Sequence, residues 1–124
     1  MKPTDLQIAD WVLINNTPRQ VVQLTKSKVG YHTEPNECRM HYARYADVEP
    51  IPITAEILEK NEIKNDCVSR WHEWIGENAK ILFNPYYLFS TIESKDVTIR
   101  GRFDYVHQLQ QAIRLCGIDK QIKL

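Results

Sequence analysis

The fold of this chain is decided by Asp5-Leu6-Gln7-Ile8-Ala9-Asp10-Trp11-Val12-Leu13-Ile14, followed by Asn15-Asn16 and then by Gln20-Val21-Val22-Gln23-Leu24. Two apolar runs rich in β-branched residues flank the pair of asparagines. Asparagine is among the few residues besides glycine that tolerate a positive φ. A short turn of that kind joins the strands of a tight hairpin. The sequence therefore predicts a β-hairpin that opens a small barrel.

Further short strands are predicted up to residue 50. Lys26-Ser27-Lys28 is a tight polar turn that leads into residues 29–33, and residues 34–37 form a second, longer break around a proline. Residues 38–45 then form a fourth extended segment, and a fifth strand is predicted around Val48. Five short strands in about fifty residues are typical of an SH3-like small β-barrel.

A proline-containing segment follows the predicted barrel. Pro50 and Pro52 are separated by one residue, which excludes a helix and favours an extended path. Ile51 and Ile53 give this segment apolar side chains that favour burial, whereas a flexible linker is polar or rich in glycine and serine. We therefore expect the segment to be ordered and packed between the two lobes of the protein. Thr54 is the predicted N-cap of a short helix that carries Glu56 in its first turn and ends near Asn61.

The second half of the chain predicts an antiparallel meander covered by a helix. Its predicted strands are residues 69–75, 81–83, 86–93 and 97–100, separated by turn residues. Apolar residues then recur at helical spacing: Val106, Leu109, Ala112, Ile113 and Cys116. Asp104 is the predicted N-cap, Gly117 the residue after the C-cap, and the opposite faces carry His107, Gln108, Gln110, Gln111 and Arg114. Residues 121–124 are predicted to return as a short edge strand.

These elements predict an α+β protein. Its N-terminal SH3-like small β-barrel comprises residues 1–50. A short helix and an antiparallel β-meander covered by a C-terminal helix comprise residues 51–124. The pattern leaves open whether the two lobes share one core.

Charge and composition limit the classes of partner. The 124 residues include 16 Lys and Arg against 16 Asp and Glu. Proteins that bind duplex nucleic acid usually cluster basic residues, which displace counterions from phosphates. Arg19, Lys26 and Lys28 are the candidates for one small basic edge. They either contact a nucleic acid or protect a solvated strand edge from pairing with other chains.

Two further features indicate the compartment. No apolar run approaches the roughly 18 residues that span a bilayer, and the N-terminus lacks an apolar signal core. The three cysteines, Cys38, Cys67 and Cys116, form an odd set without paired spacing, so reduced thiols are expected. We therefore expect a cytoplasmic protein.

The sequence gives little evidence for a metal site or a catalytic site. The zinc-type ligands are His32, Cys38, His41, Cys67 and His72. Cys38 and His41 are three apart on a predicted strand and so point to opposite faces, and no Cys-x-x-Cys pair is present. Cys67 and His72 lie in no recognisable nucleophile motif, and Glu56, Glu59 and Glu62 indicate a solvated helix face. We expect no metal, no cofactor and no enzymatic activity.

The aromatic residues of the predicted meander are more suggestive. Trp71 and Trp74 are three apart, and Tyr86 and Tyr87 are adjacent, so each pair is predicted to split between the two faces of a strand. At least one member of each pair is then at risk of exposure, and exposed Trp and Tyr are enriched at binding hot spots. Alternatively both faces are covered and the aromatics are core residues.

Three motifs together resemble a group of small proteins encoded in gut Bacteroidetes genomes, often within phages or other mobile elements. The motifs are Asp5-Leu6-x-Ile8-x-Asp10-Trp11-Val12, then Val48-Glu49-Pro50-Ile51-Pro52-Ile53-Thr54-x-Glu56-Ile57-Leu58, and finally Tyr105-Val106-His107-Gln108-Leu109-Gln110. The resemblance covers nearly the whole chain and is weakest between residues 61 and 96. It implies a cytosolic protein in a bacterium or an infected bacterium, and it transfers no activity, cofactor or catalytic residue.

Two functional hypotheses remain. The first is an interaction module without catalysis that binds a protein partner through Trp71, Trp74, Tyr86 and Tyr87. The second is a nucleic-acid-associated accessory protein that uses Arg19, Lys26, Lys28 and the barrel loops. The balance of charge favours the first hypothesis. The identity of the partner and the oligomeric state stay open.

Overall fold

The computed structural model describes residues 1–65 and 71–124, which form two compact units, Met1–Ile51 and Pro52–Leu124. The described residues contain two helices and two five-stranded antiparallel sheets, as predicted for the α+β class. The strands are β1 (Trp11–Ile14), β2 (Thr17–Leu24), β3 (Lys28–Tyr31), β4 (His41–Arg44), β5 (Val48–Glu49), β6 (Lys64–Asn65), β7 (His72–Gly76), β8 (Ala79–Asn84), β9 (Phe89–Ser94) and β10 (Thr98–Arg102), and the helices are α1 (Ala55–Lys60) and α2 (Val106–Leu115).

The first unit is built on the predicted hairpin. Ile14 pairs with Thr17, and Asn15 and Asn16 have φ values of 54° and 60°. Both asparagines therefore occupy the left-handed region that a two-residue hairpin turn requires. The sheet order is β4-β3-β2-β1-β5, and a register shift between Val21 and Gln23 accompanies its curling into a half-barrel. This agrees with the predicted small-barrel class.

The residues before β1 form a turn whose two ends, Leu6 and Asp10, are buried, so the first strand is shorter than the apolar run. The backbone N–H of Gln7 donates to the Asp10 carboxylate at 2.8 Å, and Asp10 is fully buried. Ala9 has a φ of 75°, and its N–H donates to the carbonyl of Val21 at 2.8 Å. This turn carries Leu6 into the core of the unit, which is otherwise formed by Val12, Ile14, Val21, Val29, Tyr45 and Val48.

The fourth strand also begins later than predicted, at His41 instead of residue 38. The preceding loop is held by the Glu37 side chain, which accepts hydrogen bonds from the N–H and the hydroxyl of Thr33 at 2.9 and 2.8 Å. His41 contacts the other carboxylate oxygen at 2.8 Å. These side-chain bonds offer the loop an alternative to the strand ladder.

The second unit begins with the proline-containing segment and α1. Ile53 is buried, as is Ile51 at the end of the first unit, and the Thr54 hydroxyl accepts the N–H of Ile57 at 3.2 Å. The prediction of a Thr54 cap is therefore confirmed, and α1 buries Leu58 as expected. Asn61 ends the helix as predicted.

The chain terminus is extended but is not the predicted edge strand. The Asn61 side chain accepts the N–H of Lys123 at 2.6 Å and donates to its carbonyl at 2.7 Å. These two bonds satisfy both backbone groups of Lys123 without a neighbouring strand, and Ile122 beside it is buried. The predicted strand over residues 121–124 is therefore wrong.

The second sheet is the predicted antiparallel meander, in the order β10-β9-β8-β7-β6. The short strand β6 was missed, and residues 69 and 70 of the first predicted strand lie outside the described residues. One face of the sheet is core, with Ile81, Phe83, Ser90 and Ile92 fully buried. Cys116, which follows α2, contacts the carbonyl of Ile92 through its thiol at 3.7 Å. The C-terminal helix therefore covers this face.

The helix α2 buries the predicted apolar stripe, but its N-terminus differs from the prediction. The N-cap is Tyr105, and the Gln108 side-chain oxygen accepts the N–H groups of Asp104 and Tyr105 at 2.9 and 3.1 Å. The Asp104 carboxylate pairs instead with Arg102 at 2.9 Å. Gly117 follows the C-cap with a φ of 70°, as predicted.

Two polar residues of α2 that the sequence predicts to be exposed lie on its buried face. His107 and Gln110 were assigned to the opposite faces, yet each is only 5% exposed. The apolar stripe is therefore flanked by buried polar side chains, and the buried face is wider than the spacing of apolar residues alone indicates.

Candidate functional site

The turn between β8 and β9 presents two of the predicted binding residues. The Asn84 side-chain oxygen accepts the backbone N–H groups of Tyr86 and Tyr87 at 3.0 and 3.3 Å, and Leu88 has a φ of 55°. Such a turn is a typical use of asparagine, which hydrogen-bonds to backbone groups just ahead of it. The prediction that β9 begins at residue 86 and splits the tyrosines between its faces is therefore wrong. Both tyrosines are exposed, by 73% and 63%.

Aromatic contacts order this end of the second sheet. The rings of Tyr86 and Tyr87 meet edge to face, with centroids 4.9 Å apart. Phe89, the first residue of β9, is 40% exposed and makes an edge contact with the half-buried Trp71 at 6.4 Å. Edge-to-face pairs at these distances are favourable arrangements of aromatic rings. We call Trp71, Tyr86, Tyr87 and Phe89 the aromatic surface.

Phe89 was not among the predicted site residues. Phe89 pairs with Asn84 on one side and Arg102 on the other. Its side chain therefore points to the face of the sheet opposite the core face, on which Ser90 lies. The signal available in the sequence was the unbroken run Tyr86-Tyr87-Leu88-Phe89, which is too apolar for an ordinary turn.

Trp74 does not belong to the aromatic surface. It lies on the core side of β7, where its alternation with His72 places it. A Cβ atom added to Gly76 would lie 2.4 Å from the Trp74 ring, so the ring packs directly on the glycine backbone. The Lys120 ammonium lies 4.9 Å from the ring centroid, and burial lowers the pKa of this lysine. The role of Trp74 is therefore structural packing.

The structure does not bring the predicted basic edge together. Arg19 donates to the carbonyl of Thr33 at 3.1 Å and lies over the Tyr31 ring, at one end of the β2–β3 hairpin. Lys26 and Lys28 are exposed at the other end, beside the turn. The three cations therefore lie at two separate places of the first unit.

The predicted thiol and imidazole groups are also dispersed. His32 bonds to the Arg39 carbonyl, and His41 bonds to Glu37. Hydrogen bonds from His41 and Thr33 lower the pKa of the Glu37 carboxyl to about 2. Cys38 is exposed, while Cys67 lies outside the described residues. Within residues 1–65 and 71–124, no group of three or more His, Cys, Asp and Glu side chains is placed to hold a metal ion.

His72 is a buried polar residue with an unusual environment. Its side chain is 5% exposed, and Nε2 lies 3.8 Å from a Glu59 carboxylate oxygen. Among residues 1–65 and 71–124, neither ring nitrogen has a hydrogen-bond partner. Glu59 is 61% exposed, so water screens this contact. The pair does not form a nucleophile with an adjacent base, which a covalent mechanism requires.

Comparison with known proteins gave no match to this chain among family models, curated proteins or solved structures. Among the helices of the described residues, none has the length and apolar character needed to cross a membrane.

Proposed function

We propose that this protein is a non-catalytic binding module that recognises a protein partner through the aromatic surface. The observation that carries the proposal is the exposure of Tyr86 and Tyr87 on a turn fixed by the Asn84 side chain. Tyrosine and tryptophan are enriched among the residues that dominate protein–protein binding energy. A tyrosine also offers a large contact area at a small cost in side-chain entropy, because it has only two rotatable side-chain bonds.

The order within the aromatic surface further supports binding. The backbone of Tyr86 and Tyr87 is held by hydrogen bonds, and their rings already contact each other. A surface ordered before the encounter loses less entropy when a partner binds. Phe89, two residues after Tyr87, is a further exposed aromatic residue, and large exposed apolar patches on a folded protein usually mark interaction sites.

The alternative is a nucleic-acid-associated accessory protein. The chain carries as many acidic as basic residues, and Arg19 is remote from Lys26 and Lys28 along the hairpin. Phosphate binding depends on several cations acting together. A protein partner is therefore the better proposal, and a salt series separates the two, because phosphate contacts weaken steeply as salt rises.

The resemblance of the three sequence motifs supplies the proposed setting. We place the protein in the cytoplasm of a bacterium, or of a bacterium that carries the phage or mobile element. The partner is then a protein of that cell or of that element.

The test is capture of partners by the tagged chain, followed by measurement of the affinity for each purified partner. The variant Tyr86→Ala/Tyr87→Ala removes two exposed rings, and hot-spot losses of about 2 kcal/mol or more correspond to a roughly 30-fold weaker complex. Leu115→Ala is the matched control, because Leu115 is 74% exposed on α2 and outside the aromatic surface. Equal affinities of the tyrosine variant and the wild type would refute the proposal.

A further inference from the structure

The strand β10 is an edge strand with an open side. The carbonyl of Val97 accepts the N–H of Ser94 at 2.8 Å, and the N–H of Phe103 donates to the carbonyl of Leu88 at 2.8 Å. Hydrogen-bonding direction alternates along an antiparallel strand. The backbone groups of Thr98, Arg100 and Arg102 therefore point away from β9, toward the outside of the sheet.

Among the residues that the structure describes, the chain itself fills only the far end of this edge. The N–H of Ile53 donates to the carbonyl of Asp104 at 3.1 Å, and Pro52 forms a bridge with Tyr105. In the part of the chain that the structure describes, no strand pairs with β10 on this side. Within the described residues, the edge is therefore occupied from Asp104 onward and open from Thr98 to Arg102.

The open edge is positively charged and adjoins the aromatic surface. Arg100 and Arg102 are exposed, and the Arg102 side chain is 68% exposed although it pairs with Asp104. Arg102 lies directly opposite Phe89 in the β9–β10 pairing, so the two side chains share one face of the sheet. A partner bound at the aromatic surface is therefore close enough to contact the open edge as well.

Gly101 lies in the middle of the open edge, and the space that its side chain would occupy is empty. A Cβ atom at this position would meet no atom within 4 Å, so packing within the chain does not require glycine. Glycine weakens the interior of a strand and often marks a close approach of a ligand or of another backbone. An open edge is the place where such an approach adds hydrogen bonds.

We propose that the β10 edge accepts an extended segment of the protein partner, with acidic residues at alternate positions, as a sixth strand of the second sheet. The backbone of Thr98, Arg100 and Arg102 supplies the hydrogen bonds, and the two arginines pair with the acidic side chains. This inference rests on the proposed function and names the kind of partner. A second copy of the chain fits poorly, because antiparallel pairing of β10 with itself about Arg100 places like charges opposite each other.

The first test uses a short peptide of alternating valine and aspartate as the probe, with the matched valine and lysine peptide as its control. We expect the acidic peptide to shift the amide NMR signals of Thr98, Arg100 and Arg102, and to bind about ten-fold more tightly than the basic one. Equal binding of both peptides, or shifts confined to the first unit, would overturn the inference.

The second test reverses the charge of the edge. The variant Arg100→Glu/Arg102→Glu should no longer bind the acidic peptide and should bind the basic one. The control Lys26→Glu/Arg39→Glu makes the same change of net charge in the first unit and should leave the peptide preference unchanged. Thermal unfolding of each variant checks that it is folded. Unchanged peptide preference in a folded edge variant would overturn the inference.

The captured partner separates this inference from the proposed function. If the tyrosine variant loses the partner and the arginine variant retains it, the aromatic surface stands and the added strand is refuted. If both variants lose it, both are supported. Retention by both variants refutes both.

Discussion

The Asp10 side chain is fully buried and holds the turn before β1. It accepts the Gln7 N–H at 2.8 Å, and the backbone carbonyl of the same residue accepts the N–H of Val21 at 2.8 Å. The two bonds fix Leu6 and the start of β1 relative to β2. This role explains why residues 6–10 are not part of β1 although their composition resembles a strand.

Replacement of Asp10 by alanine should therefore lower the free energy of unfolding by about 1–3 kcal/mol, the usual effect of leaving a buried donor without its partner. Glu34→Ala is the control, since Glu34 is exposed in the same unit and should change stability by no more than about 0.5 kcal/mol. Urea denaturation of both variants measures the difference. Equal stabilities would show that the turn does not depend on this carboxylate.

Glu37 provides a pH-dependent prediction at the same scale. Its pKa is lowered from 4.5 to about 2, chiefly by the hydrogen bond from His41. A lowered pKa in the folded state means that the stability from this group is present above pH 4.5 and lost as the pH falls through about 2. We expect His41→Phe to raise the Glu37 pKa, measured by NMR titration of the Glu37 carboxyl carbon. A wild-type titration midpoint near 4.5 would contradict this interpretation.

Residues whose conformation is set locally were predictable. Asn15, Asn16, Thr54 and Gly117 have the roles that their neighbours in the sequence indicate. Asp10 and Asn84 were not recognised, because each acts through hydrogen bonds to backbone groups that only the folded turn brings within reach. The sequence placed Tyr86 and Tyr87 in a strand, whereas the hydrogen bonds of Asn84 place both in an exposed turn. The risk of exposure was therefore predicted for the wrong reason.

At the scale of the element, α2 shows what periodicity captures. Its apolar stripe was predicted, but Gln110 is only 5% exposed and belongs to the buried face. Spacing identifies the centre of a buried face, whereas its width depends on what the helix packs against. Gln110→Ala should therefore lower the free energy of unfolding by about 1–3 kcal/mol, because a buried polar contact is removed.

Leucine substitutions in α2 test the same interpretation. Leu109 is 1% exposed and Leu115 is 74% exposed, so the helix supplies two chemically identical changes in opposite environments. Leu109→Ala should cost about 2–5 kcal/mol, and Leu115→Ala no more than about 0.5 kcal/mol. Thermal or urea unfolding measures both. A large loss at Leu115 would mean that the assigned faces of α2 are wrong.

At the scale of the whole molecule, the class and order of the elements followed from the sequence. Alternating apolar runs and turn residues predicted the opening hairpin, the meander and the final helix. The candidate site was predicted only in part, since the half-buried Trp74 packs on Gly76, away from the aromatic surface, and Phe89 was missed. Which face of a sheet is covered depends on long-range packing, and no local pattern in the sequence records it.

Hydrogen–deuterium exchange of the complex with a captured partner tests the central claim most directly. Amides protected on binding should lie in residues 86–89, with protection of Arg100 and Arg102 if the partner also adds a strand. The exposed loop at Arg39 serves as an internal reference that should exchange equally in the free and bound protein. Protection confined to the turn at Lys26 and Lys28, with residues 86–89 unchanged, would contradict the assignment of the aromatic surface as the binding site.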